Sequence, residues 1–296
     1  MEFSVWPSLA EPFQDVVATA HHAESTGWDR LYLADHFMSN DEHKSAVGEC
    51  FTSLAALGAV IPRLRLGSLV AGNTYRHPAV LANMGATIDH LTGGRFVLGI
   101  GAGWQENEHA AYGIELPPVG PRLRRFAEAC AVFQSLLAVK RTTFAGEYYN
   151  LVDAPLEPRP IQEPLPLLIG GSGEKVMLGI VARYADEWNC WGTPETLRRK
   201  IDILADHCAA IGRDPREIHK SAQVLWTMEG ENDGSKERAM PMATLGGSIA
   251  ALKEIVAEYA EAGIDELIVP AFNLGDHSSR IRIYDRFLNE VAADFR

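Results

Sequence analysis

Two ionisable residues, Asp35 and His36, follow a short apolar run at Arg30–Ala34 that predicts a β-strand. An adjacent Asp and His at a strand end can supply acid–base or hydrogen-bonding groups over a bound cofactor, because histidine titrates near neutral pH. The same pair could equally cap the segment that follows the strand. The sequence leaves both interpretations open.

A glycine-rich segment follows another predicted strand and precedes a helical pattern. Its residues are Gly170, Gly171, Ser172, Gly173, Glu174 and Lys175. Glycines that open a helix present backbone N–H groups and the positive end of the helix to a phosphate, and Lys175 adds charge. The segment is not a Walker loop, since Glu174 precedes the lysine. We expect it to bind a phosphate group, with a plain turn as the alternative.

A third candidate is the glycine series Gly99, Gly101 and Gly103 at the end of a predicted strand. Its G-x-G-x-G spacing is one residue short of the dinucleotide fingerprint, and arginines stand about 20 residues on, where that fingerprint needs an acid. A Rossmann site is therefore not indicated. Small residues at a strand end let a ligand ring approach the backbone, although a tight strand exit would also use them.

Eight β-type runs alternate with helical patterns along the chain. They are Phe3–Trp6, Arg30–Ala34, Leu64–Ala71, Arg95–Gly101, Leu165–Gly170, Glu187–Trp191, His219–Trp226 and Glu266–Pro270. Eight such units in 296 residues are typical of an α/β fold of the (β/α)8 TIM-barrel type. We expect one barrel domain over residues 1–296. Catalytic groups in such barrels lie at the carboxyl ends of strands, where the candidates above stand.

Apolar residues at helical spacing predict helices over residues 78–92, 121–138 and 247–262. Three long connections interrupt the barrel pattern, at Phe37–Gly48, Lys140–Pro164 and Met228–Gly246. The second predicts a hairpin around Gly146. The third is polar and contains glycine, so it is either a lid or an irregular surface loop.

Composition excludes several function classes. A net charge of −12 disfavours a nucleic-acid surface. The longest apolar stretch is far shorter than the roughly 20 residues that a membrane span needs, and the first residues lack the basic start of a secretory signal, so we expect a cytoplasmic protein. The four cysteines are widely spaced, which indicates reduced core thiols and neither a zinc cluster nor a disulfide framework. We predict no metal site.

The segment from Leu66 to Trp104, LGSLVAGNTYRHPAVLANMGATIDHLTGGRFVLGIGAGW, resembles the luciferase-like monooxygenase superfamily. The pieces LADHF, APLEPRPIQEPLPLLIGGSGEKV and VARYADEWNCWGTPE match as well, and the likeness is greatest to the bacterial coenzyme F-420-dependent oxidoreductases. The resemblance covers residues 1 to about 225. It implies a (β/α)8 barrel with a flavin or deazaflavin ring at the carboxyl ends of its strands.

The resemblance also implies roles for individual residues. Asp35 and His36 would lie near the reactive part of the ring, with His36 as proton donor or acceptor and Asp35 orienting it or binding substrate. Three further groups would contact the cofactor: Ser68 and Leu69 flanking a cis peptide behind the ring, Ala102, Gly103 and Asn107 along the ring or ribityl chain, and Gly170 to Gly173 at the phosphate. Arg76 and Lys175 would form a basic rim for the acidic tail of F-420.

One departure from the family weakens the interpretation of the chain as a sugar-phosphate or alcohol dehydrogenase. Trp104 stands where the sugar-phosphate dehydrogenases of this group have a carboxylic acid, with Glu106 or Glu108 as distant substitutes. Phe37 and Trp104 are therefore expected to line the substrate pocket.

We expect hydride transfer between coenzyme F-420 and a small organic substrate. The alternatives are an FMN-dependent monooxygenase fed by a separate flavin reductase and a non-catalytic flavin-binding protein. The family also implies a homodimer, and an F-420 reductase is a possible partner.

Overall fold

The computed structural model describes residues 1–40, 46–232 and 243–296. Its strands are β1 Glu2–Trp6, β2 Arg30–Leu33, β3 Arg65–Ser68, β4 Ala71–Gly72, β5 Phe96–Gly101, β6 Arg141–Ala145, β7 Asn150–Pro155, β8 Leu167–Gly170, β9 Glu187–Trp191, β10 His219–Gln223, β11 Leu225–Met228, β12 Thr244–Gly247 and β13 Glu266–Pro270. Its α-helices are α1 Phe13–Thr26, α2 Cys50–Val60, α3 Pro78–Thr92, α4 Glu106–Tyr112, α5 Val119–Ala138, α6 Met177–Tyr184, α7 Pro194–Ala210, α8 Ile249–Glu261 and α9 His277–Glu290.

Eight parallel strands close into a barrel in the order β1, β2, β3, β5, β8, β9, β10, β13. Val5 of β1 pairs with Leu31 of β2 on one side and with Val269 of β13 on the other, and the pairing of β3 with β5 closes the barrel. Leu66 of β3 pairs with Phe96 of β5, which carries the sheet past the short strand β4. The predicted (β/α)8 barrel is therefore confirmed, and the helices that follow the strands surround it.

Capping hydrogen bonds and the backbone preferences of proline and glycine explain where the helices begin and end. Thr193 accepts a hydrogen bond from the Thr196 amide at the start of α7, and Pro194 occupies the first turn, where it loses no hydrogen bond. Gly27 ends α1 in the left-handed conformation, with φ of 94°. The predicted helices over 78–92, 121–138 and 247–262 are confirmed as α3, α5 and α8. No helix in the described ranges is long and apolar enough to cross a membrane.

Two predicted strands are corrected. The run Leu64–Ala71 is divided between β3 and β4 by a cis peptide bond at Leu69–Val70. The run His219–Trp226 is also two strands, because the chain leaves β10 after Gln223 and pairs Leu225 with Thr244 of β12 outside the barrel. The predicted hairpin is confirmed as the antiparallel pair β6–β7. All four cysteines are free and buried.

A network of charges, three of them buried, closes the amino end of the barrel. Its members are the first residues of five barrel strands: Glu2, Arg30, Glu187, His219 and Glu266. The Arg30 side chain is 4% exposed, and its guanidinium lies 2.6 Å from Glu187 and 2.8 Å from Glu2. Glu266 is fully buried and lies 3.3 Å from the His219 ring. Because buried carboxylates without a cation are costly, Arg30 holds this end of the barrel together.

Replacing Arg30 by Met should lower the free energy of unfolding by about 3–5 kcal/mol, because Glu187 and Glu266 would stay buried without their cation. Urea unfolding followed by circular dichroism measures the change. Arg216→Met is the matched control, since Arg216 pairs with Asp214 on the surface and its loss should leave the unfolding midpoint almost unchanged. Equal midpoints for the two variants would show that the network does not stabilise the barrel.

The same network predicts a pH dependence of stability. Burial lowers the pKa of His219, but the hydrogen bond and charge of Glu266 outweigh burial and raise that pKa above its ordinary 6.5. The folded state therefore holds the proton more tightly, so His219 stabilises the fold below pH 6.5 and this contribution is lost as pH rises through the folded pKa. Unfolding of wild type and His219→Gln between about pH 6 and pH 9 should show a wild-type advantage that shrinks as pH rises. An advantage that does not change with pH would contradict the assignment.

Candidate functional site

A cavity of about 1200 Å³ opens at the carboxyl ends of the barrel strands. Trp6 of β1, Gly101 of β5, Gly170 of β8 and Trp191 of β9 lie on its wall. Ligand sites of drug size occupy about 300–1000 Å³, so this cavity has room for a large cofactor and a second molecule. It lies at the end of the barrel opposite the charge network, where enzymes of this fold carry their sites.

His36 lies on the cavity wall and is held by a buried carboxylate on α4. The Nδ1 atom of His36 lies 2.7 Å from Oε1 of Glu108, whose side chain is fully buried. Glu108 also accepts hydrogen bonds from the backbone N–H of Phe37, at 2.8 Å, and from the hydroxyl of Tyr75. Three donors therefore fix this carboxylate behind the ring.

The electrostatics of Glu108 determine which nitrogen of His36 carries the proton. Burial raises the pKa of Glu108, but the hydrogen bonds from His36, Tyr75 and Phe37 outweigh it, so the pKa lies below its ordinary value. Glu108 is thus an acceptor at neutral pH, and Nδ1 of His36 is the donor to it. The other nitrogen, Nε2, remains for a ligand in the cavity. Such a histidine can donate or accept a proton at one fixed atom.

Among the described residues no hydrogen bond joins the side chains of Asp35 and His36, which corrects the predicted orienting role. Its carboxylate accepts bonds of 2.6 and 3.0 Å from Arg76 and one of 3.1 Å from the Gly72 amide. Burial raises the pKa of Asp35, and Arg76 opposes that shift. Successive residues of an extended chain point to opposite sides, so two adjacent side chains diverge and take different partners.

Arg76 is likewise not available as a free cation on a rim. It lies between the carboxylates of Asp35 and Glu49, the latter at 2.7 Å, and over the ring of Phe51 at 4.9 Å. The Arg76 side chain is only 13% exposed. Arg76 therefore fixes Asp35. Its surroundings do not support the predicted contact with the acidic tail of F-420.

The loop after β8 forms a cradle of backbone amides. The Gly171 carbonyl accepts from the Trp188 indole at 2.8 Å, and the Ser172 carbonyl accepts from Nζ of Lys200 at 2.8 Å. Within the described residues, the amides of Ser172 and Gly173 donate to no protein acceptor. Because Trp188 and Lys200 already hold the two carbonyls, the loop offers its two amides as hydrogen-bond donors. An anionic group requires such donors.

Lysine placement around this loop differs from the prediction. Lys175 is exposed and does not reach the cavity wall, and neither does Gly173, whereas Gly170, Gly171 and Ser172 line it. The cation beneath the loop is Lys200 of α7, which is 8% exposed. The sequence carries a signal for Lys200, because it stands between Leu197 and Leu204 on the apolar face of its helix, where a lysine needs a partner. Its Nζ lies 3.0 Å from Oε1 of Glu174.

Four predicted residues lie on the cavity wall. Leu69, Ala102, Gly103 and Trp104 all line it. The Trp104 side chain is 56% exposed, and its ring meets the His36 ring edge-on at 5.5 Å. An exposed tryptophan beside the ionisable ring forms one side of the entrance.

Three other residues that the sequence predicts for the site do not line the cavity but lie behind its wall. Their predicted placement is therefore corrected. Ser68 is buried and its hydroxyl bridges the Gly99 carbonyl and amide at 2.8 and 3.0 Å. Asn107 donates to the Ser39 carbonyl at 3.0 Å. Phe37 packs on the rings of Tyr75 and Tyr112.

The cis peptide is one residue later than expected. The bond joins Leu69 to Val70, so Ser68 does not flank it. The Leu69 amide still donates to the Leu33 carbonyl at 2.8 Å, which keeps Leu69 within the ladder between β3 and β2. Val70 lines the cavity after the ladder has ended.

The connections Phe37–Gly48 and Met228–Gly246 include residues 41–45 and 233–242, which lie outside the described residues.

A family model described as luciferase-like monooxygenase matches residues 1–263. The chain is 31% identical over 227 residues to an F-420-dependent glucose-6-phosphate dehydrogenase of Microbacterium testaceum, covering 75% of this chain and 67% of that protein. It is 34% identical to the protein of the same description from Amycolatopsis mediterranei, over 61% and 53% of the two chains. The match thus spans about half to two thirds of the length of these relatives.

Solved structures extend the comparison over the whole chain. An F-420-dependent secondary alcohol dehydrogenase in complex with an F-420–acetone adduct superposes with a TM-score of 0.87 at 21% identity, covering 99% of this chain and 98% of that one. A monooxygenase from Streptomyces bottropensis gives 0.85 at 18% identity over both complete chains. At these identities the likeness establishes the fold.

The hydrogen bond between Glu108 and His36 predicts a single imidazole tautomer. Nitrogen-15 spectra at about pH 8 should show Nδ1 of His36 as the protonated nitrogen, and Glu108→Gln should weaken that preference because the neutral amide is a poorer acceptor. Glu106→Gln is the matched control on the same helix, and its exposed side chain should leave the spectrum unchanged. A wild-type spectrum with the proton mainly on Nε2 would contradict the proposed geometry.

Proposed function

The chain belongs to the luciferase-like monooxygenase family, and we propose that it is an oxidoreductase that transfers a hydride between coenzyme F-420 and a small organic substrate. The observation that carries this proposal is the fixed His36, which presents Nε2 to a cavity large enough for both molecules. The relatives named F-420-dependent glucose-6-phosphate dehydrogenase support it.

The cavity has the features that a phosphate-bearing tricyclic cofactor needs. The amide of Ser172, which lines the cavity, would bind its phosphate, with the ion pair of Lys200 and Glu174 behind the loop. A Cβ atom built on Gly101 or Gly170 would lie within 3.0 Å of the Val70 side chain, so both positions must be glycine for Val70 to lie between the strands. Val70 and its neighbours would form the surface on which the ring rests.

The protein positions the reactants and moves the proton. When bound, F-420 supplies the site that accepts or donates the hydride. Nε2 of His36 would donate a proton to the substrate oxygen when a carbonyl is reduced, or accept one when an alcohol is oxidised. The Glu108 carboxylate, 2.7 Å from Nδ1 of His36, holds the ring in place during this exchange. The ion pair of Asp35 with Arg76 holds the segment that carries His36.

Several predictions from the sequence belong to the same proposal. We treat residues 1–296 as one barrel domain that works in the cytoplasm as a homodimer, with an F-420 reductase elsewhere to recycle the cofactor. The alternatives of an FMN-dependent monooxygenase and a non-catalytic flavin-binding protein use the same cavity, and solved monooxygenases share the fold.

Cofactor binding and turnover separate these possibilities. Purified protein titrated with F-420 and with FMN should bind F-420 more tightly, and reduced F-420 with cyclohexanone should then show hydride transfer. His36→Ala should bind F-420 with unchanged affinity and lower the transfer rate by about 10²- to 10⁴-fold, because only the proton exchange is lost. Glu106→Gln serves as the control on α4.

The outcomes are distinct. Tighter binding of FMN with oxygen consumption identifies the monooxygenase. Binding of F-420 without turnover of any alcohol or ketone identifies a binding protein. An equal rate for His36→Ala removes His36 from the mechanism.

A further inference from the structure

One side of the cavity carries an aromatic wall formed by Trp6, Trp191 and Phe272. Trp6 and Trp191 are the last residues of β1 and β9, and Phe272 is the second residue after β13. The Trp6 ring lies 4.9 Å from the Phe272 ring, edge-on, and 6.2 Å from the Trp191 ring. All three line the cavity, and the Phe272 side chain is 39% exposed. Trp6 is buried to 8% exposure and Phe272 is the most exposed of the three. Aromatic rings that line one concave site favour an apolar ligand group, because the ring surface still open to the cavity gains from being removed from water.

The charges on the same cavity are predominantly negative. Glu11, Asp15 and Asp276 line it, and among the described lining residues Arg280 is the one lysine or arginine. Arg280 is 3% exposed, and its guanidinium is bound to the Glu11 carboxylate. Its positive charge is thus already compensated within the protein.

A phosphate monoester does not suit these surroundings. Such a group carries about 1.5 to 2 negative charges at neutral pH, and it would meet the carboxylates of Asp15 and Asp276 beside the Glu11–Arg280 ion pair, whose charges cancel. Moving it out of water without an uncompensated cation is strongly unfavourable. Lys200 cannot serve both molecules, since it lies under the loop that the cofactor phosphate would occupy.

We propose that the substrate is an uncharged alcohol or ketone whose reacting carbon carries an apolar ring, and that sugar phosphates are excluded. This inference rests on the proposed function, because it assigns the second molecule in the F-420 site. It separates this chain from the dehydrogenases of glucose 6-phosphate that it resembles at 31–36% identity. The wall of Trp6, Trp191 and Phe272 would hold the ring while the oxygen reaches His36.

The reaction balances without a further reactant. In the oxidising direction the carbinol C–H bond breaks and its hydride passes to F-420, which is reduced. The hydroxyl proton passes to Nε2 of His36, and the carbon–oxygen double bond forms. The alcohol becomes a ketone, and the reverse direction returns both hydride and proton.

The test compares 1-phenylethanol with glucose 6-phosphate as hydride donors to oxidised F-420 in the wild-type enzyme. The value of kcat/KM should be at least about 100-fold higher for 1-phenylethanol. This compound offers an apolar ring to the aromatic wall, whereas glucose 6-phosphate would bring a charged phosphate into the cavity. Equal or higher kcat/KM for glucose 6-phosphate overturns the inference. Quenching of tryptophan fluorescence gives the Kd of each compound independently of turnover, and tighter or equal binding of glucose 6-phosphate also overturns it.

Variants test the two parts of the argument separately. Phe272→Ala and Trp6→Ala should lower kcat/KM for 1-phenylethanol about tenfold through lost apolar contact, with the Kd for F-420 unchanged. Phe272 is partly exposed, so its variant tests the wall even if Trp6→Ala does not fold. Val152→Ala, on the β7 strand and 85% exposed, is the control that should match wild type. Unchanged kcat/KM in Phe272→Ala overturns the role of the wall.

Glu11→Gln tests the charge argument. Removing this carboxylate leaves Arg280 uncompensated, so inorganic phosphate should inhibit the variant about tenfold more strongly than wild type. Equal inhibition of both proteins would show that Glu11 does not compensate the positive charge of Arg280. Absence of F-420 binding to wild type would instead refute the proposed function, and the fluorescence Kd values would still decide the substrate class.

Discussion

The hydrogen bond from Nδ1 of His36 to the buried carboxylate of Glu108 is the interaction on which the site depends. It joins the end of β2 to α4, and the hydroxyl of Tyr75 links the same carboxylate to the segment after β4. One side chain thereby fixes three segments that meet at the cavity. Because Glu108 accepts at neutral pH, the ring is left with one nitrogen for chemistry, and its position is set before any ligand binds.

The two ends of the barrel divide stability and chemistry between them. At the amino end the first residues of five strands form a network of buried ion pairs around Arg30. At the carboxyl end, glycines, aromatic rings and a few fixed polar groups leave a cavity. Enzymes with this fold keep their catalytic groups on the loops of one face, so substitutions there change chemistry with less effect on the barrel. In the proposed function, the acidic and aromatic side of this cavity would set the substrate specificity of the barrel.

The sequence predicts the barrel and most helices because alternation and capping are local signals. It also identifies His36 and the loop at Gly170–Ser172, since both follow predicted strands. It does not identify Glu108 as the partner of His36, because that choice depends on where α4 packs once the barrel has closed. The neighbour Asp35 is the obvious partner in sequence, yet its side chain diverges and binds Arg76. Lys200 was missed for a similar reason, since it reaches the loop from a helix 28 residues away.

A crystal structure of the protein with oxidised F-420 tests the central claim most directly. We predict that the phosphate binds at the amide of Ser172 in the loop after β8, that the ring lies against Val70, and that Nε2 of His36 faces the reactive edge of the ring. A cofactor bound with its phosphate at another loop, or with its ring away from His36, would contradict the account.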